Sequence, residues 1–523
     1  MLASWVLFLL VEPATAALAD GALAAGALAE PAAVPVAGTP FETGTQETDA
    51  WARDALTRAL AASRDIDDPF HRAQALAEIA EAAVAAGDLE LARAQLQQAE
   101  AEAGRVDAEP LRAWALHDVA MARIKANDPN AAETTADGIR DPRLRDIVLA
   151  AVVDARRSAR DVPGALASAR RIQDSARQGI SLRSVALMQA VSGDISGALA
   201  TARSISHAQA NALAVGDVAA AIARDGSTLE ARLLAGRIRD GAARSRAFVE
   251  IAAVQAANGD ILGAREALTQ IGDKLYRAEA LARIAAVRSE LAPNDARTMF
   301  AEAIAAANGV RGPLFRKCET LIEIARGQVT AKSNEEALAI LRQVLGRVRD
   351  VKKESERLTL FSRIAPLQAR AGDFTSAFDT AMRAEDPSLR PLLVRDIAAF
   401  QVERGDVAGA LQAARTLNDR PAAAAAFFGI LRAQSLARDK AGMHATLADA
   451  LGSVRVLRSP ELRAGALGSL AAAQILDGNM EAAKAAFAEA MTTAAGADRG
   501  QQQAAVYVRI ADALANRRGT VAE

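Results

Sequence analysis

One cysteine in 523 residues leaves no partner for an intrachain disulfide and no set of thiolates for a zinc site. That residue, Cys318, reads as a small buried hydrophobe, and it lies far from the start of the chain, so it is not the lipid-anchor cysteine of a bacterial lipoprotein. Aromatic residues make up only 3%, which argues against a globule built on a large aromatic core and against a groove rich in aromatic anchors. Trp51, Trp114, Phe248, Phe315, Phe361, Phe427 and Phe428 fall inside helical apolar patterns and read as core. Net charge is nearly absent too: 62 basic against 64 acidic residues leave −2, without the field expected of a nucleic-acid binder. Beyond the first residues no apolar run is long enough to span a bilayer, so no transmembrane anchor is expected. The four histidines, His71, His117, His207 and His444, are scattered, with no H-E-x-x-H and no second histidine at i+4. Neither a phosphate-binding G-x-x-x-x-G-K-[ST] nor a G-x-S-x-G elbow occurs. No catalytic, cofactor-binding or metal-ligating residue is assigned, and the chain does not read as an enzyme.

What remains is apolar at 51%, with alanine prominent, a composition suited to closely packed helices. The fold class read from it is all-α. The length accommodates either two to four domains or one array of repeats without a single closed core, and internal periodicity decides for the array.

The clearest unit runs from Arg246 to Ala285. Phe248, Ile251, Ala252 and Gln255 lie at helical spacing, Asn258-Gly259-Asp260 breaks the pattern, and Ala264, Ala267, Leu268 and Ile271 begin a second stripe. The same turn recurs at Gly87-Asp88, Asn127-Asp128, Arg160-Asp161, Gly193-Asp194, Asp225-Gly226, Pro293-Asn294, Ser333-Asn334, Gly372-Asp373, Gly405-Asp406, Arg438-Asp439 and Gly478-Asn479. Most steps are 32 to 34 residues and four are about 40. Such a period implies paired helices stacked into a solenoid of about twelve units. Alanine stands four residues after the turn aspartate at Ala92, Ala165, Ala198, Ala264, Ala377 and Ala410, where two helices must approach closely. Before the turn, Ile79-Ala80, Val185-Ala186, Ile251-Ala252, Ile364-Ala365 and Ile397-Ala398 repeat a β-branched residue followed by a small one.

On these residues the chain resembles the tetratricopeptide (TPR) repeat family over roughly residues 50 to 517. It departs from the family pattern in two ways. The first-helix aromatic is replaced by Ala83, Gln189, Gln255, Gln368 or Gln401, and the unit-ending proline is mostly missing. Helical-pair solenoids of the HEAT type share the architecture. The resemblance implies a superhelix that binds protein partners.

Two charged features invite a functional reading. Asp68, Asp141, Asp240, Asp273 and Asp386 precede Arg72, Arg145, Arg244, Arg277 and Arg390 by four residues, as Ser459 precedes Arg463. The acid or hydroxyl is placed as an N-cap, so the repeat reads as a ladder of caps and inter-repeat contacts, against the alternative of an arginine stripe for an anionic ligand. The long segment Glu335 to Ala365 gathers Arg342, Arg347, Arg349, Lys352, Lys353, Arg357 and Arg363, either a solvated face or a docking patch for an acidic partner.

Met1 to Val11 is a short apolar run, and Ala14-Thr15-Ala16 is a small-x-small cleavage site, so residues 1–16 read as a secretory signal whose n-region carries no Lys or Arg. Residues 17–48, rich in Ala, Gly and Pro, read as a flexible linker, 49–517 as the repeat solenoid, and 518–523 as a disordered tail. Val506, Ile510, Ala513 and Leu514 form a last amphipathic helix that suits an end cap. The chain is therefore expected to be a scaffold for an unidentified protein partner, in a periplasm or cell envelope. A cytoplasmic adaptor and a solenoid enzyme domain are the alternatives.

Overall fold

The computed structural model describes residues 41–310, 312–498 and 500–515. The expected signal, most of the linker and the tail lie outside these residues. Among the described residues there are 26 α-helices and no strand. The first helix is α1 (Phe41–Ser63), and it begins within the stretch expected to be linker. Pro40 is the last proline of that stretch, and residues 41–48, FETGTQET, are mostly helix-compatible polar residues in place of Ala, Gly and Pro.

Twelve antiparallel pairs follow. They are α2 and α3 (Pro69–Ala85, Leu89–Gly104), α4 and α5 (Glu109–Lys125, Pro129–Asp137), α6 and α7 (Pro142–Ser158, Val162–Arg171), and α8 and α9 (Ser175–Val191, Ile195–Ser204). Next come α10 and α11 (Ala208–Arg224, Thr228–Gly236), α12 and α13 (Gly241–Ala257, Ile261–Thr269), α14 and α15 (Lys274–Arg288, Pro293–Gly309), and α16 and α17 (Leu314–Thr330, Asn334–Val348). The last four are α18 and α19 (Glu354–Arg370, Phe374–Met382), α20 and α21 (Leu389–Glu403, Val407–Thr416), α22 and α23 (Arg420–Leu436, Lys440–Arg455), and α24 and α25 (Pro460–Asp477, Met480–Ala495). Helix α26 (Gln501–Ala515) ends the described chain.

Within a pair the chain reverses through one left-handed residue, occupied by Gly87, Gly193, Gly226, Gly259, Gly372, Gly405 and Gly478, and elsewhere by Asn127, Arg160, Lys332 and Arg438. The next residue caps the second helix: Asp88 accepts from Leu91 N, Asp260 from Gly263 N and Asn479 from Ala482 N. The α14–α15 turn departs from this scheme. It has no glycine and no left-handed residue, and Pro293-Asn294, read from sequence as the turn, is already the first turn of α15. Ala92, Ala165, Ala198, Ala264, Ala377 and Ala410 are all buried at the helix–helix contact. The longer units extend the second helix: α3, α15, α17, α23 and α25 have 15 to 17 residues, where the others have 9 or 10.

First helices pack on the first helices of neighbouring units, whereas neighbouring second helices barely meet. The first helices therefore form the inner, shorter circumference and the second helices the outer one. This curvature carries the array back onto itself. Helix α26 packs along α1 and against α2, so it is not an end cap, which corrects the sequence reading. Its Val506, Tyr507, Ile510 and Leu514 share one core with Ala52, Ala55, Leu56 and Ala59 of α1 and with Leu76 and Ile79 of α2. An end cap would need a polar outer face, but both sides of α26 are covered.

Helix α1 behaves as a second helix. Ile66 follows it as Val106, Ile139, Ile172 and Ile238 follow other second helices, each buried, and its carbonyl accepts from Arg72 Nε at 2.7 Å as Ile238 O accepts from Arg244. A thirteenth pair, α26 with α1, thus closes the solenoid into a ring, where the periodicity alone counted about twelve units.

Candidate functional site

Much of the recurring polarity is spent on the repeat itself. The arginines four residues into the first helices do not form a free stripe. Of the six read from sequence, Arg72, Arg244, Arg390 and Arg463 each donate to the carbonyl six residues back, as do Arg112 and Arg357 at the same place in other units, tying the start of one pair to the end of the previous one. Arg145 and Arg277 do not make this bond among the described residues. Asp68, Asp141, Asp240 and Asp273 cap their helices, as at His71 N and Ala243 N, whereas Asp386 stands outside its helix, whose N-cap is Ser388, and accepts from Ser388 N. The glutamines that stand where TPR units have an aromatic are buried, and Gln255 and Gln401 donate to the turn carboxylates of Asp260 and Asp406 at 2.9 and 2.7 Å. The hydrogen bond from Gln401, with that from Gly409 N, holds the Asp406 carboxyl below its ordinary range. In two units the same place holds a buried arginine. Arg156 reaches Glu133, Asn130 and the Gly164 carbonyl at 2.6, 2.8 and 3.0 Å, and Arg123 pairs with Glu100 at 2.7 Å.

The face of the first helices opposite the buried stripe lines the lumen. Charges there are laddered from unit to unit, with Arg183 on Asp217, Arg283 on Glu250, Arg363 on Glu319 and Glu323, and Lys125 on Glu81. At the closing seam the balance is acidic. Glu78 and Glu81 of α2 and Asp512 of α26 stand together, with Asp118, Lys125 and Arg509 around them. Desolvation, then the neighbouring Glu81, pushes Glu78 up to about 7 and Asp512 up to about 6. Glu78 itself is exposed on its helix, so the desolvation comes from the protein surrounding that face and not from burial in a core. On the far wall burial raises Glu250, but Arg283, Arg224 and Arg246 more than offset it and leave that carboxyl low.

The outer surface offers grooves between successive second helices. The basic segment from Glu335 to Ala365 divides there. Arg363 is used in the lumen, Arg357 binds Glu385 and the Val351 carbonyl, Arg347 reaches Asn308, and Lys353 pairs with Glu356. Arg342 and Arg349 face the groove between α17 and α19, where Arg383 joins them around a depression of about 370 Å³. Ser376 and Thr380 line its other wall, and the buried Gln368 lies at its floor with Oε1 unpartnered. Sequence reading missed Arg383 because it belongs to the next unit. The signal was present: Arg349 and Arg383 are 34 residues apart, the spacing at which neighbouring second helices face each other.

The histidines stay apart. His71 lies on Asp68, His117 on Asp118, His207 caps α10 and His444 lies on Asp477. Among the described residues no group of His, Cys, Asp or Glu is arranged to hold a metal ion, and no helix is long and apolar enough to cross a membrane. Cys318 is fully buried, and desolvation raises its thiol.

No family model matches the chain, and no curated protein matches it in sequence. Among solved structures it is similar to Ton1535 from Thermococcus onnurineus NA1, at 14% identity over 66% of this chain and 99% of that one, with a TM-score of 0.25. It is similar to the APC/C hetero-tetramer Cut9-Hcn1 at 12% identity over 88% and 96%, TM-score 0.25, and to a circular tandem repeat protein at 15% identity over 87% and 89%, TM-score 0.13. Overlap this weak decides nothing about the chain. The TPR-like, all-α repeat architecture rests on the helical pairs themselves.

Exposed large apolar residues are spread along the chain from Leu89 to Leu462, and three of them fall on two neighbouring second helices. Leu229 and Leu233 of α11 and Leu262 of α13 are 69%, 59% and 78% exposed, one helical turn or one repeat apart. Their grouping on neighbouring second helices, and not their exposure alone, sets them apart from the singly scattered apolar residues normal on any surface.

Proposed function

We propose that the ring is a protein-interaction scaffold. The observation that carries this reading is the cluster of Leu229, Leu233 and Leu262, because the recurring residues are taken up by stacking and these three have no packing role. A photo-crosslinking residue at Leu262 should capture a discrete partner in cells, and L229S/L233S should lose that adduct while keeping the fold. Equal crosslinking from the variant and the parent would count against the reading.

The scaffold is exported in this proposal, on the strength of the apolar run Met1–Val11 and the Ala14-Thr15-Ala16 site. A mature protein that starts at Ala17 by mass spectrometry supports export. Retention of Met1 in the recovered protein would replace it with the cytoplasmic adaptor reading.

A further inference from the structure

The outer grooves share a device. Across four of them an arginine on one second helix pairs with a carboxylate 34 residues away on a neighbouring one: Arg171 with Asp137 of the preceding helix, and Arg232 with Glu266, Arg415 with Asp449, and Arg455 with Glu489 of the following one. The groove between α17 and α19 puts arginine against arginine at that spacing, Arg349 facing Arg383, and adds Arg342 two turns back along α17. No carboxylate among the described residues pairs with any of the three; Arg342 Nε only donates to the Leu338 carbonyl. Like charges set together in a depression, with two hydroxyl side chains and an amide on the remaining walls, are a counter-charge short.

We propose that this groove binds a phosphomonoester or free phosphate. One guanidinium fork occupies the edge of a carboxylate, whereas a phosphate dianion offers three terminal oxygens, one to each arginine, with the Ser376 and Thr380 hydroxyls beside them. The space of about 370 Å³ leaves room for the organic part of an ester over Leu345 and Gly346. Three features oppose an anion here, of which the unpartnered Gln368 Oε1 at the floor, an acceptor, is one. Asp379 borders the groove, and Arg349 and Arg383 are the C-caps of α17 and α19, whose carbonyl ends carry about half a negative charge each. Three full positive charges outweigh them. The site does not depend on the scaffold reading, since it requires no protein partner.

The test is calorimetric titration of the full chain with inorganic phosphate, phenyl phosphate and benzoate. Both phosphates should bind at least about tenfold more tightly than benzoate, and R383Q should weaken them about tenfold or more. R415Q, which removes an arginine already paired with Asp449, should leave phosphate affinity unchanged. Arg349→Glu is the sharper variant: it recreates the arginine–carboxylate pair of the other grooves, so it should abolish phosphate binding while the protein melts no lower than the parent. Vesicles of phosphatidic acid, compared with phosphatidylcholine alone, separate the sources: capture that R383Q removes assigns the phosphate to a lipid headgroup, and phosphate binding without capture assigns it to a soluble ester. Equal affinity for benzoate and phenyl phosphate, or unchanged phosphate binding in R383Q and Arg349→Glu, overturns the proposal.

Discussion

Gly263 has no room for a methyl group, because a Cβ there would overlap both Asp260 Oδ2 and Gln255 Nε2. The turn carboxylate, the glutamine that steadies it and the glycine three residues past the cap are one unit of three, repeated with Asp406, Gln401 and Gly409; Gly442 is crowded in the same way by Asp439 and Gln434, but Gln434 makes no hydrogen bond there. Gly263→Ala should therefore destabilise its pair by about 1–3 kcal/mol, seen as faster amide exchange in α12 and α13. Arg156 is the stronger case. Its side chain is 9% exposed and shares Glu133 with Arg171, so Arg156→Ala leaves that carboxylate, itself mostly buried, with only the more exposed Arg171 as counter-charge. A loss of about 3 kcal/mol, the low end for a broken buried pair, is expected, read as local exchange in α6 and α7; a loss within about 0.5 kcal/mol would mean that Arg171 alone suffices for Glu133. The sequence displayed the alanine and β-branched packing positions but hid this polar code. Gln189, Gln255 and Gln401 stood out only as departures from an aromatic, because periodicity marks which face is buried and not which hydrogen bond is made there.

The elements differ mainly in the length of the second helix, and the long ones fall into two runs. One is α15 with α17; the other is α23, α25, α1 and α3, which are consecutive around the ring and straddle the closure. There Trp51 of α1 stacks on Phe487 of α25 with centroids 4.9 Å apart. Opposing this apolar seam are Glu78 and Asp512. Their raised pKa values, about 7 and about 6, mean that ionisation weakens closure. The stabilisation from their protonated forms is complete below the ordinary carboxylate range near pH 4 and is lost as pH rises through about 6 and 7. Exchange at the α2–α26 seam should thus be slower at pH 5 than at pH 8 after correction for intrinsic rates. Glu78→Gln should slow it at pH 8 and flatten the pH dependence. A seam that loosens on acidification would reverse the sign and require Glu81 with Lys125, or Arg509, to dominate. Neither acid could be singled out from sequence, since α2 and α26 are separated by more than four hundred residues and nothing in a repeat count says that its ends meet.

At the scale of the whole molecule, the helical pairs, their turns and most of their core were legible, because each unit repeats the same local solution. Closure was not, since it follows from small rotations between units that accumulate around the array. Helix α1 escaped for a related reason: in sequence it precedes the first turn and looks like an unpaired leader, and only α26 supplies its partner. The outer groove was half legible, with Arg342 and Arg349 visible as a charge run and Arg383 hidden one unit on. An open superhelix would leave Leu56 and Tyr507 facing water, whereas the ring buries both.

The most direct test of that closure is a pulsed electron-electron distance between nitroxides at Arg58→Cys on α1 and Gln501→Cys on α26, in a Cys318→Ala background diluted with unlabelled protein so that only distances within one chain register. Adjacent helices pack about 8–10 Å apart, so the ring expects a narrow distribution near about 20 Å. An open solenoid separates the same labels by the whole array, and a distribution lying beyond about 50 Å would contradict the ring.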